Sequence, residues 1–402
     1  MNNKIILHID MNSYFTSVEQ QANPFLRGKA VGVCAYLSPG GCIIASSREA
    51  KAYGVKTGCT VRVARELAPR IVLLENEPAK YRSTTEKIFK ILGDYTDIVE
   101  PYSIDEAFLD LTERVSDFAL ANQVGKKIQA RIKNEVGEWL GSSIGISWTK
   151  FLAKFASDIA PKGGILVINK NNLDACLNRP LSDAWGIGER LAERLRQVGI
   201  NNLLELKKYS SDRLRRLLGR YGYYLWANVN GKEIASISPG TPVPKSVGHS
   251  YCLPNKTKDK KYLANVFYKL TEKTGRRLRA LNLEAQRLMI AVAYVRAGGV
   301  YKSFKTREKM FTTEEIYKQV EEFLEKTVLV MPARMLAVSV SALMPVSPQM
   351  SLLENNLAKK ELSRALDKIN DKYGEYTVIR GAMFGTNNLA KDRIGFRKPI
   401  AV

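Results

Sequence analysis

The chain is poor in the groups that thiolate, imidazole or membrane chemistry would need. Among 402 residues there are two histidines, His8 and His249, and five cysteines, Cys34, Cys42, Cys59, Cys176 and Cys252, with no CxxC pair. That is too thin a donor set for a zinc site. No Ser/His/Asp or Cys/His nucleophile system is legible either. Reduced, structural thiols are the expectation for an intracellular compartment. No apolar run approaches the roughly eighteen residues that a spanning helix needs, and no basic amphipathic anchor is present. The opening "MNNKIILHID" turns acidic too soon for a secretory signal, so the expected location is cytoplasmic. Acid is scarce as well. Asp and Glu total 40 against 62 Lys and Arg, which leaves a net charge of +22 and a pI near 9.7. Such an excess favours a polyanionic partner, nucleic acid before a membrane surface. What is abundant is ordinary globular material, 45% hydrophobic and long enough for two to four domains.

Residues 1–165 alternate strand and helix. "KIILHID" reads as a strand ending at Asp10, and "SYFTSVEQQ" as a helix capped by Ser13 or Asn12. "AVGVCAY" is a strand, "SREAKAYGV" a short helix and "KYRSTTEKIFKILGDY" a longer one. "DIVEPYS" and "EAFLDL" form a hairpin with Asp105 and Glu106 at its apex. After it come the amphipathic helix "DFALANQVGKKIQARIKNEVGEWL" and the strand "SSIGIS". This order is that of a split βαβ, ferredoxin-like sheet. Residues 166–240 read as helical. Their "WGIGERLAERL" resembles a helix–hairpin–helix, in which Gly186 and Gly188 sit between two short helices and backbone N–H groups face a phosphate. The alternative is a plain αα-hairpin.

"SPGTPVPKS", 238–246, reads as a linker. Beyond it the charge changes. From Lys245 to Met310 there are sixteen Lys/Arg and four Asp/Glu, a net +12 of the total +22. "KLTEKTGRRLRALNL" is a basic helix carrying Arg276, Arg277 and Arg279. "RLMIAVAYV", "YKSFKT" and "RMLAVSVSAL" alternate like half-buried strands. The density and one-sidedness of this charge favour contact with a phosphate backbone over a merely solvated face. The tail includes "LSRALDKINDKYGEYTVI", a helix followed by a strand.

Adjacent acids at a hairpin apex are ordinarily a solvated turn. A third carboxylate changes that reading. Asp10 ends the first strand, and in a ferredoxin-like order that strand neighbours the hairpin. Asp10, Asp105 and Glu106 can therefore meet, although ninety-five residues separate the first two. Three converging acids need cations, and hard oxygen donors without His or Cys point to Mg²⁺, two ions in a phosphoryl-transfer site.

"HIDMNSYFTSVEQQANPFLRGKAVGV", "YSIDEAFLDLT", "SSIGISWTKFLAKFASDIAPKGG", "WGIGERLAERL" and "KSVGHSYCLP" resemble the Y-family translesion DNA polymerases over nearly the whole chain. The resemblance implies an α+β protein: palm and fingers at 1–165 (fingers about 22–80), a helical thumb at 166–240, an α/β little finger at 241–345 and a C-terminal segment at 346–402. It implies low-fidelity, template-directed synthesis from dNTPs on primer–template DNA, without proofreading, by a monomer that joins the nucleoid when engaged and has no membrane partner. Asp10, Asp105 and Glu106 match the metal ligands, with the Met11 carbonyl beside them. Phe15 matches the gate beneath the nucleotide sugar, and Tyr14 packs next to it. Ser46, Arg48 and Lys51 of "SSREAK" lie over the triphosphate. Lys150 and Lys154 of "TKFLAK" lie near it, and Lys150 counts among the DNA contacts. Pro161-Lys162 reverses the family's usual "KP", which leaves open which lysine, Lys162 included, meets the β- and γ-phosphates. "GCIIASSREAKAYGVKTG" and Tyr102 resemble the polymerase V catalytic subunit, which needs an accessory protein. "ASDIAPKGG", "KSVGHSYCLP" and "DRIGF" resemble polymerase IV. "PQMSLLE", 348–354, resembles a sliding-clamp binding peptide, with Gln349, Leu352 and Leu353 as anchors. The readings from other classes are a non-catalytic DNA- and clamp-binding scaffold and a nucleotidyl cyclase. The intact acids disfavour the first, and the basic C-terminal domain disfavours the second.

Overall fold

The computed structural model describes residues 4–240, 243–296, 298–346, 356–384, 386 and 389–390. The chain divides into two compact units, Met1–Pro242 with Ile394–Val402, and Val243–Arg393. Among the described residues no helix is long and apolar enough to cross a membrane.

The first unit begins with β1 (Ile6–Met11) and α1 (Tyr14–Ala22). A small three-stranded sheet follows: β2 (Val31–Cys34), β3 (Ile43–Ser46) leading into α2 (Arg48–Ala52), then α3 (Val61–Leu67) and β4 (Val72–Glu75). The chain continues through α4 (Pro78–Gly93), the hairpin β5 (Val99–Pro101) and β6 (Glu106–Asp110), α5 (Phe118–Arg131), β7 (Ser142–Ser147), α6 (Lys150–Ile159) and β8 (Ile165–Val167). The main sheet runs β5-β6-β1-β7-β8, antiparallel except for the β7–β8 pair. β1 lies at its centre and is buried almost throughout, because both faces are covered. Leu7, Ile9 and Met11 face the larger core with Ile88, Ile128 and Ile144. Ile6 packs on the opposite face with Phe108 and Ala153 of α6. Residues of one strand alternate in side, so His8 and Asp10 share that second face.

α6 lies unusually close to the sheet. A Cβ on Gly145 of β7 would sit 2.0 Å from the Ala153 carbonyl and 2.2 Å from the Ser157 nitrogen, so only glycine admits the helix at this depth.

The first unit ends in α7 (Leu173–Leu177), α8 (Glu189–Arg196), α9 (Leu203–Lys208), α10 (Ser211–Leu218) and α11 (Arg220–Val229), packed around Leu195, Leu203, Leu214 and Leu225. Where two short helices are expected around Gly186 and Gly188, the first is a single 3₁₀ turn, Leu181–Asp183.

The second unit contains β9 (Ser246–Thr257), α12 (Lys260–Ala280), β10 (Leu283–Tyr294), β11 (Gly299–Met310), α13 (Thr313–Lys326), β12 (Ala333–Pro345) and α14 (Asn356–Tyr373). Its sheet order is β11-β10-β12-β9. Pro254, which lacks a ladder donor, sits in the edge strand β9, where that loss is tolerated. No strand follows α14 at 374–379. The Asn370 side chain instead takes both backbone groups of Val378, donating to its carbonyl at 3.0 Å and accepting from its N–H at 2.9 Å.

Candidate active site

The strand register brings the first and third acids together. Asp10 on β1 is the direct cross-strand partner of Glu106 on β6, and the Met11 N–H donates to the Asp105 carbonyl at 2.9 Å. The turn before Glu106 is fixed by its own carbonyl, which accepts from Tyr102 and Ser103 N–H at 3.0 and 3.1 Å.

The carboxylates have different neighbours. Glu106 lies 2.7 Å from Lys154 Nζ and 3.2 Å from His8 Nε2. Asp105 accepts from the Ser103 hydroxyl. With Glu106 and Asp105 so engaged, no group of three or more His, Cys, Asp or Glu side chains is gathered around one metal position among the described residues. Among the described residues Asp10 makes no hydrogen bond or ion pair of this kind, and the Lys154 charge only partly offsets its surroundings. Its carboxyl is pushed up to about 7, first by burial and then by the charges of Asp105 and Glu106. Asp105 is raised too, again chiefly by burial. Burial alone would raise Glu106, but the His8 hydrogen bond and the Lys154 ammonium outweigh it and hold the carboxyl near 2.

His8 and Lys154 are the residues that sequence reasoning missed or placed only loosely. His8 is fully buried and pushed down to about 4 by that burial. Its Nδ1 lies 2.6 Å from Ser157 Oγ. The Ser157 hydroxyl also donates to the Lys154 carbonyl at 2.7 Å, which ties His8, Ser157 and Lys154 into one chain of contacts beside Glu106. Lys154 also reaches Asp158 at 3.5 Å.

The expected capping of α1 is not found. Ser13 takes the N-cap place in a left-handed conformation with no side-chain cap bond. Its hydroxyl instead accepts from Lys51 Nζ at 2.7 Å. Burial first, and then the nearby Lys162 charge, lowers the Lys51 ammonium, while Asp10 opposes them. Lys51, Lys162 and Asp10 thus share one electrostatic neighbourhood, with Arg48 exposed at the start of α2. Ser46 lies inside the small sheet. It is fully buried, opposite Gly32 in the small sheet, so its side chain belongs to the interior.

Phe15 and Tyr14 are separated by their anchors. The Tyr14 hydroxyl donates to the Tyr81 carbonyl at 2.8 Å and lies 2.8 Å from Thr85 Oγ1, which ties that ring to α4. Phe15 has no such tether. It packs on the Tyr81 ring at 4.7 Å and keeps 9% of its surface exposed, against 2% for Tyr14.

Three expected DNA contacts make ion pairs inside the protein. Lys150 Nζ donates to both Glu100 oxygens, at 2.6 and 2.5 Å, and is mostly buried. Arg279 is 8% exposed and held by Asp367 at 2.5 and 2.9 Å. Arg276 pairs with Asp371 at 2.8 Å and Glu375 at 3.4 Å. These cations are paired with acids of the same chain. Arg277 is half-buried on the same helix. Gly186 takes a positive φ of 93° and its carbonyl accepts from Tyr221 Oη at 2.6 Å. Gly188 caps α8 with an ordinary φ, so only Gly186 needs to be glycine. Gln349, Leu352 and Leu353 lie outside the described residues.

Comparison with known proteins follows this geometry closely. Residues 9–158 match the model of the impB/mucB/samB family, and residues 244–352 match that family's C-terminal domain. The chain is 34% identical over 387 residues to "DNA polymerase IV 1" of Bacillus subtilis (strain 168), covering 94% of this chain and 93% of that one. It is 31% identical to the DNA polymerase IV of Desulfatibacillum aliphaticivorans, covering 95% of this chain and 98% of that one. Among solved structures it is similar to a Y-family DNA polymerase chimera of Dbh and Dpo4, with a TM-score of 0.76 and 25% identity over 85% of this chain and all of that one.

Proposed function

Because the chain belongs to the impB/mucB/samB family and is a Y-family, DNA-directed DNA polymerase of translesion synthesis, we propose that Asp10, Asp105 and Glu106 hold the catalytic metal. Its relatives are polymerase IV proteins, which favours that branch over the polymerase V catalytic subunit. The observation that carries the metal reading is Asp10: a buried carboxyl raised to about 7, in register with Glu106 and next in space to Asp105. The donors are hard oxygens, which fit two Mg²⁺ ions with the Met11 carbonyl as a further ligand. Bound Mg²⁺ supplies Lewis-acid stabilisation of charge on the reacting oxygens.

The protein's own residues position and exclude. Lys154 and His8 fix Glu106 in its ionised form. Lys51, Lys162 and Arg48 offer cations to the triphosphate, where the primer 3′-hydroxyl attacks the α-phosphorus and pyrophosphate leaves. Phe15, the less tethered of the two rings, closes the space beneath the sugar. The Gly186 turn and the open face of the β9–β12 sheet meet the DNA backbone. The segment around Gln349, Leu352 and Leu353 recruits a sliding clamp to a monomeric enzyme that works in the cytoplasm at the nucleoid.

One primer-extension series tests these assignments. Asp105→Ala abolishes incorporation while primer–template binding persists. Phe15→Ala admits ribonucleotides with only a modest loss of deoxynucleotide use. Alanines at Gln349, Leu352 and Leu353 remove clamp stimulation and leave basal synthesis intact. Near-normal extension by Asp105→Ala overturns the metal-site assignment. Ribonucleotide entry through Tyr14→Ala alone moves the gate to Tyr14. Undiminished clamp stimulation moves the clamp-binding segment elsewhere.

A further inference from the structure

α14 lies beyond residue 352, where the match to the family's C-terminal domain ends. It docks on its own domain by its polar side. Ser363 and Asn370 are its buried residues, at 2% and 5% exposure, and Asp367 and Asp371 reach Arg279 and Arg276. Leu366 is half-buried beside this face, and three other apolar residues lie outside it. Leu362, Ile369 and Tyr373 are 57%, 38% and 64% exposed. Their spacing of seven and four places them in one stripe along the helix. A helix that is held to its own domain through polar and charged residues and leaves an apolar stripe in solvent presents a patch of the kind that marks an interaction surface.

Leu362 also forms a wall of a groove of about 630 Å³ between the end of β11, the start of α13 and α14. Five cations line this groove: Arg307, Lys309, Lys318, Lys359 and Arg380. Its acids are largely committed. Glu314 pairs with Arg380, and Glu315 accepts from the Phe311 and Thr312 N–H groups at 2.7 and 2.9 Å. Lys309 lies 3.6 Å from Glu284. Arg307, Lys318 and Lys359 make no ion pair among the described residues, and Glu308 alone of the lining acids is left to face them.

We propose that this groove and the Leu362–Ile369–Tyr373 stripe beside it bind an acidic protein segment that carries apolar side chains. The unpaired cations choose the charge of the partner, and the stripe chooses its apolar residues. Nucleic acid fits less well. No aromatic ring lines the groove for base stacking, and exposed leucine and isoleucine offer nothing to a phosphate backbone.

The test is fluorescence anisotropy on the full chain at near-physiological salt. The probes are a labelled peptide of Glu-Glu-Leu repeats and its charge-matched Glu-Glu-Ser counterpart. The leucine peptide binds at least about tenfold more tightly than the serine peptide. Lys318→Glu with Lys359→Glu, and separately Leu362→Ser with Ile369→Ser, each weaken it about tenfold, a difference of roughly 1.4 kcal/mol. Lys126→Glu with Lys127→Glu, an equal charge change on the exposed side of α5, leaves it unchanged. All these positions are exposed or lie on the stripe, and thermal unfolding of the same samples verifies the fold. Failure of the leucine peptide to bind, equal binding of both peptides, or an equal loss in the α5 variant overturns the proposal. It is also overturned if the Lys318/Lys359 variant loses as much affinity for primer–template DNA as for the peptide, because the groove is then a phosphate-binding surface.

Discussion

Asp10 shows how far one residue can be read from its surroundings. Its carboxyl titrates near 7 in the folded chain against 3.8 ordinarily, so between those values the folded state holds a proton that the unfolded state has lost. Stability of the metal-free protein therefore falls as pH rises through this window, by about 4 kcal/mol for a shift of that size, and stays lowered above it. Asp105 is raised and adds in the same direction. Glu106 has the opposite sign. Its depressed carboxyl contributes stability that is present above about 4.5 and lost as pH falls towards 2, almost wholly below the window. Asp10→Asn is thus expected to melt higher than the parent at pH 8 without divalent metal, with the gap closing towards pH 4. Mg²⁺ should raise the parent more than the variant. Identical pH profiles for the two proteins would show that Asp10 carries no unrelieved charge. That β1 neighbours the hairpin, so that Asp10 stands in register with Glu106, was legible in the sequence because a ferredoxin-like order requires it. His8 and Lys154 were not, because their role depends on which face of β1 meets α6 and on how closely it does so.

At the scale of elements, glycine and charge decided what periodicity could not. Strand and helix order in the first unit follows from hydrophobic spacing, but the depth of α6 is set by Gly145 alone. α12 shows a different limit of local sequence patterns. Its arginines read as a phosphate-facing run because the acids that neutralise them come from α14, 88 positions further on in the case of Arg279 and Asp367. A charge run is informative only when its partners are known, and distant partners carry no local signature. The consequence is a stability effect and not a binding one. Arg279→Ala leaves Asp367 with only Arg276, 3.8 Å away, at a cost of about 3 kcal/mol. Chemical denaturation should show that loss, while the salt dependence of DNA binding stays at the parent value. Replacing both partners with apolar residues of similar size should recover most of it. A variant that melts like the parent but binds DNA with a flatter salt dependence would restore Arg279 to the interface.

For the whole molecule, the question is where the excess of +22 meets DNA, given that part of the basic C-terminal stretch is spent internally. The sheet of the second unit gives an answer through its register. Leu288, Ile290 and Val292 of β10 are buried on its helix-covered face. The residues between them therefore lie on the open face, where Arg287 stands directly opposite Lys305 and Ser341, and Met289 opposite Ser303 and Ser339. Ser246, Gly248 and Ser250 of β9 continue that face. Small hydroxyl side chains let a sugar–phosphate backbone approach closely and donate to it without reading bases, while Arg287 and Lys305 are both exposed and supply charge. On duplex DNA every phosphate that a side chain neutralises adds roughly 0.9 to the steepness of log K against log salt. Arg287→Ala with Lys305→Ala should therefore flatten that slope by roughly 1.8. Affinity should fall to a similar extent for all primer–template sequences, because neither side chain selects a base. A slope that stays at the parent value in this pair, or a fall confined to particular sequences, would move the backbone interface off the open sheet face.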